Sequence, residues 1–214
     1  MSAGMDTTPV PRPPVGTSRT AALTRELPAG RRPGWWGMWL ALGADVSAFA
    51  TMIAAYYYVR FVTSSVWPPK GDPLPKLVKS SIMTGLLVAS AVPLLVADLG
   101  LKAGRRAWLV LGALAAAVLG GGFVAVEYLE YVDELKTSQP GKDAYGSMFY
   151  VMTGFHVLHI MLGVLALLMF AIAGLLGRMG RRHHVVIRLF SLWWYTSIVV
   201  WVLLYLVLYW SVRL

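Results

Sequence analysis

The chain has 214 residues, of which 57% are hydrophobic and only 14% charged, with a mean hydropathy of +0.63. Soluble domains carry about 25% charge, so the composition excludes an ordinary soluble domain. There is no cysteine, which removes disulfides, thiolate metal ligands, iron–sulfur clusters and covalent haem attachment together. The net charge of +9 gathers in loops beside apolar runs, a pattern of membrane topology and not of nucleic-acid binding.

Residues 1–34, with Pro9, Pro11, Pro13, Pro14, Arg31, Arg32 and Pro33, have neither periodicity nor an apolar core of signal-peptide length. They read as a disordered arm. The remainder, residues 35–214, divides into apolar runs at about the 20 residues a helix needs to cross a bilayer, without the period-two alternation of a barrel. Five spans are expected at residues 36–62, 77–101, 107–132, 145–176 and 187–212, an all-α integral membrane bundle.

With five spans, Arg12, Arg19, Arg25, Arg31, Arg32, Lys102, Arg105, Arg106, Arg178, Arg181, Arg182 and Arg188 fall on one side. The opposite side holds Arg60, Lys70, Lys76, Lys79, Lys136, Lys142 and Arg213, partly offset by Asp72, Asp133, Glu134 and Asp143. The positive-inside bias therefore places the N-terminus in the cytoplasm and the C-terminus outside.

In the first span Asp45 stands nine residues in, roughly 13 Å along a helix. An ionised carboxyl at that depth is costly unless a cation or several donors hold it, so it is either a proton-handling group or a packing contact bonded to a backbone carbonyl or to Ser47 or Thr51. In the third span Gly120, Gly121 and Gly122 suit close helix packing. Glu127 lies in that span's last turns and is the acid there expected to be buried, with Glu130 and Asp133 continuing toward the surface. The short loop to the fourth span makes the two helices antiparallel neighbours, within reach of a Glu127 hydrogen bond to His156 or His159.

His156 and His159 share one face of the fourth span. Two imidazoles at i and i+3 with a carboxylate from a neighbour could hold zinc or iron. The other histidines, His183 and His184, sit in a basic loop at the far end of the same helix, and no second buried histidine faces them for a bis-histidine haem. The pattern therefore favours an interhelical hydrogen-bond cluster, with no catalytic, cofactor or metal residue in this chain. Trp35, Trp36, Trp67, Trp108, Trp193, Trp194, Tyr209 and Trp210 fall mostly near span ends, as interfacial aromatic belts do.

The run from Ala144 to Gly163, with Tyr145, Gly146, Ser147 and Phe149 leading into Thr153-Gly154-Phe155-His156 and His159, resembles a signature of subunit III of the haem–copper respiratory oxidases, in its five-helix bacterial form. Glu127-Tyr128 with Glu130 is similar to the family's glutamate–tyrosine motif. Asp45, preceded by Gly37, Trp39 and Leu42 and followed by Phe49, resembles its intramembrane acid, whose carbodiimide modification is associated with altered proton pumping. The last helix departs from the family pattern: where a Trp-His-x-x-Asp motif is usual, Trp194 is followed by Tyr195, Thr196, Ser197 and Ile198.

The resemblance implies a non-catalytic subunit of a proton-pumping terminal oxidase in a bacterial cell membrane. Its partners would be subunit I, subunit II, other respiratory-complex subunits and membrane lipids including bound phospholipid, with haem and copper held in the partner subunits and no nucleic acid bound. The related subunit of nitric oxide reductase-type complexes is a second reading. A proton-coupled transporter built on Asp45 and Glu127 is a third, against which stands the lack of an internal repeat or of paired broken helices.

Overall fold

The structure, a computed structural model, describes residues 33–63, 67, 77–135, 144–180 and 183–213. The expected arm lies outside them except for its last two residues, which already belong to the first helix. Among the described residues six α-helices follow: α1 Pro33–Thr63, α2 Leu77–Ala89, α3 Ala91–Lys102, α4 Arg106–Glu134, α5 Ala144–Leu175 and α6 His184–Tyr205. A π-turn, Leu206–Trp210, and a 3-10 turn, Ser211–Arg213, extend α6.

Helices α2 and α3 form one span bent at Ser90. Pro93 has no N–H to offer the carbonyl of Ala89, and its ring crowds that carbonyl. The flanking bonds, Ser90 N to Leu86 O at 3.1 Å and Leu94 N to Ser90 O at 3.4 Å, carry the helix across the bend. Five segments are thus long and apolar enough to cross a membrane, Gly34–Val62, Leu77–Lys102, Arg106–Glu134, Ala144–Leu175 and His184–Arg213, each within three residues of its expected bounds. Where α3 and α5 stop, Gly104 (φ 75) and Gly177 (φ 70) turn left-handed. The bonds Arg105 N to Gly100 O and Arg178 N to Ala173 O close each end in a Schellman motif.

The first turns of α1, Pro33–Trp39, form a unit of their own in which the Trp35 and Trp39 rings meet edge to face at 6.2 Å. The bundle proper runs from Leu40 onward. Within it α4 packs most extensively on α5 and on α2–α3, and α6 lies against α3, α5 and α2.

Lipid tails are as apolar as leucine, so these contacts rest on close packing and interhelical hydrogen bonds. Trp194 shows how. Its indole lies between Gly120 of α4 and Gly163 of α5, where added Cβ atoms would come within 2.9 and 2.4 Å of the ring. Its Nε1 donates to Ser90 Oγ at 2.9 Å, in the bend of the second span. Trp201, one face further along α6, donates to Thr84 Oγ1 at 3.0 Å. Trp194 and Tyr209 are wholly buried, so they belong to the core, contrary to the interfacial belt expected of them. Trp194 stands ten residues inside the start of its span, His184–Arg213, and Tyr209 four residues before its end, and both rings still point inward.

Candidate functional site

Helix α1 meets the bundle along a narrow stripe, Leu42, Asp45, Phe49 and Tyr56, whose spacing of three, four and seven residues keeps one face inward. Ser47 and Thr51, the hydroxyls expected near Asp45, instead donate back along α1 to Gly43 O at 2.7 Å and Ser47 O at 2.8 Å. Asp45 meets α5: its Oδ2 lies 3.5 Å from His159 Nε2, both side chains being about nine-tenths buried. The contact is within ion-pair range yet short of hydrogen-bond geometry.

His159 lies against Trp193 with ring centroids 4.3 Å apart and the planes tilted by 31°, and Phe49 sets its edge against both His159 (6.1 Å) and His156 (5.7 Å). A carboxyl and an imidazole so placed carry zero net charge whether the proton sits on one or the other. A proton can therefore pass between them without creating net charge in a medium that penalises it.

His156 is fully buried and enclosed by aromatic rings: Trp201 stacks on it at 5.1 Å, with Phe49 and Phe123 at 5.7 and 5.8 Å. Neither of its nitrogens has a hydrogen-bond partner among the described residues, and the polar neighbours of Glu127 are Tyr131 and Thr153. The expected hydrogen bond from Glu127 to His156 or His159 is therefore not made. Glu127 instead faces Thr153, one turn before His156 on α5, together with Tyr131 and Glu130. The antiparallel offset of α4 and α5 brings the acid level with the hydroxyl and not with the imidazoles.

Glu130 is also buried, 2% exposed, where a position nearer the surface was expected. Gly120, Phe123, Glu127 and Glu130 follow one another at three and four residues, and this helical spacing is the sequence signal that places Glu130 on the same inward face. Asp98 of α3 is a further buried acid that the sequence reading passed over; its Oδ2 lies 2.9 Å from Lys102 Nζ one turn on. Asp133 pairs with Lys79 of α2, whose ammonium also donates to Leu129 O.

Among the described residues no three histidine, cysteine or acidic side chains converge as metal ligands. What the geometry defines is a multi-pass helical membrane protein with a carboxyl–imidazole pair between its first and fourth spans and a separate carboxyl–hydroxyl group between its third, fourth and fifth. Comparison with known proteins carries this further. The model of the family described as cytochrome c oxidase subunit III matches residues 25–212. Cytochrome c oxidase subunit 3 of Tachyglossus aculeatus aculeatus is 31% identical over 180 residues, covering 82% of this chain and 68% of the relative. That of Loxodonta africana is 33% identical over the same shares. The chain belongs to the cytochrome c oxidase subunit III family.

Proposed function

We propose that this chain is the non-catalytic third subunit of a proton-translocating terminal oxidase in aerobic electron transport. It docks through its helices on subunit I, where haem and copper reside, beside subunit II and other subunits of a respiratory complex, in a bacterial cell membrane with its N-terminus cytoplasmic and with phospholipid bound. Its part is to support proton uptake and to prolong the working life of the catalytic subunit.

The observation that carries the proton-related part is the pairing of Asp45 with His159 across α1 and α5 at 3.5 Å, deep within the spans. The residues that the sequence reading grouped as proton-related, Asp45, Glu127, His156 and His159, then divide into two tasks. Asp45 and His159 hold an exchangeable proton. His156 fixes the aromatic packing around them, and Glu127 belongs to a separate group.

The test is Asp45→Asn in the assembled oxidase. Proton translocation falls or the enzyme inactivates sooner during turnover, while the haem spectrum stays as in the parent. A variant that pumps and survives like the parent removes the proton-handling role.

A further inference from the structure

Trp193 precedes Trp194 on α6 and, partly buried, also turns toward α5. Gly163 permits the approach: an added Cβ there would come within 2.9 Å of the Trp193 ring, and small residues of this kind let membrane helices close on one another. His159 lies one turn before Gly163 on α5, so the ring that the glycine admits comes to rest beside the imidazole, centroids 4.3 Å apart. The tilt of 31° sets ring against ring, unlike the 81° edge contact of Phe49. Phe190, one turn earlier on α6, backs the indole at 5.6 Å. His159 is thus approached from two directions, by Asp45 Oδ2 at 3.5 Å from Nε2 and by the indole against its ring.

The indole acts unequally on the two forms of the pair. In one form the proton is on Asp45 and both side chains are neutral. In the other the proton has left Oδ2 for Nε2, giving a carboxylate beside an imidazolium, and none is gained or lost overall. A tryptophan face carries the negative end of its ring quadrupole and attracts a cation within about 6 Å of its centroid, whereas a neutral imidazole gains only dispersion. The contact therefore favours the charge-separated form. The other titratable group facing His159 is His156, whose ring lies parallel to it at 6.4 Å and has an indole of its own in Trp201 at 5.1 Å.

Resting on the reading of Asp45 and His159 as holders of an exchangeable proton, we propose that Trp193 is a positioning residue that sets which partner carries that proton, keeping it on His159 and leaving Asp45 as the carboxylate. Separated charges within hydrocarbon are costly unless something compensates them. The indole supplies part of that compensation, and Gly163 takes part by admitting the ring.

The experiment is infrared spectroscopy of the assembled oxidase with the parent chain, Trp193→Phe and Trp193→Leu. Each is compared with the same protein carrying Asp45→Asn, so that the carbonyl stretch lost on that change reports protonated Asp45 alone. This component is weakest in the parent, stronger in Trp193→Phe, whose ring attracts a cation less, and strongest in Trp193→Leu. The ratio of protonated to ionised Asp45 rises by about 2- to 30-fold across the series, the span that ring–cation contacts supply. Equal components in all three, or a component that shrinks as the indole is removed, show that Trp193 only packs, and the inference fails while the proton-holding reading stands. A component absent from all three shows that Asp45 takes up no proton, and overturns that reading as well. Trp193→Phe keeps a ring in place and decides the matter should Trp193→Leu fail to assemble.

Discussion

Asp45 and His159, 114 positions apart in sequence, meet at 3.5 Å between α1 and α5, with the Phe49 edge and the Trp193 face completing the enclosure. Among the described residues helix α1 has few other polar links. Arg60, which donates to Ser211 O and Oγ at 3.0 Å, and Tyr56, which accepts from Trp67 Nε1 at 2.9 Å, hold its far end. The pair is thus both a candidate proton site and part of what holds α1 in place.

Substituting both partners should be markedly less harmful than the sum of the single changes. We expect a coupling of about 1 kcal/mol between Asp45→Asn and His159→Ala, in line with interhelical polar contacts in membranes. A double-mutant cycle on thermal retention of the subunit in its complex measures it. Strict additivity would show that the two side chains act independently.

Glu127 and His156 lead to the opposite expectation. They share no hydrogen bond, so Glu127→Ala and His156→Ala should add to within about 0.5 kcal/mol in the same assay. A coupling well above that would mean that the acid and the imidazole interact after all.

A hydrophobic carbodiimide should label this chain chiefly at Asp45. Its side chain keeps 11% exposure, whereas Glu127 keeps none. Mass spectrometry of the labelled chain checks the site, and label found mainly on Glu127 or Glu130 would contradict it.

Glycines that look alike in sequence should differ in tolerance. Gly163→Ala places a methyl 2.4 Å from the Trp194 ring, and overpacking of this kind costs about 1–3 kcal/mol. At Gly121 an added Cβ meets nothing within 4 Å, so Gly121→Ala should leave stability unchanged or raise it by up to about 1 kcal/mol through helix propensity. Thermal denaturation of the assembled complex compares the two, and equal effects would refute the packing given for Trp194.

Span number and bounds were legible because hydrocarbon thickness and helix rise convert directly into run length. Depth was legible for the same reason, and it placed Asp45 correctly inside the first span. Rotation was harder to read. All sides of a membrane helix are apolar, so hydropathy alone does not say which face turns inward. Glu130 could have been placed inward only by following the spacing from Gly120 through Phe123 and Glu127. The partner of each polar group depended on the axial offset between helices. A shift of one turn separates Thr153 from His156 on α5, and it decides whether Glu127 meets a hydroxyl or an imidazole. The inward position of Tyr209 needed the π-turn, which adds a residue to one helical turn and has no hydropathy signal.

The measurement that bears most directly on the assigned role is purification of the affinity-tagged chain from its own membranes, with visible spectra and metal content taken before and after its partners are dissociated. The account predicts copurification with a haem- and copper-bearing polypeptide that reduces oxygen, and no stoichiometric haem, copper or iron on this chain once it is separated. Isolation without any haem-bearing partner, or a stoichiometric redox cofactor remaining on the separated chain, would contradict it.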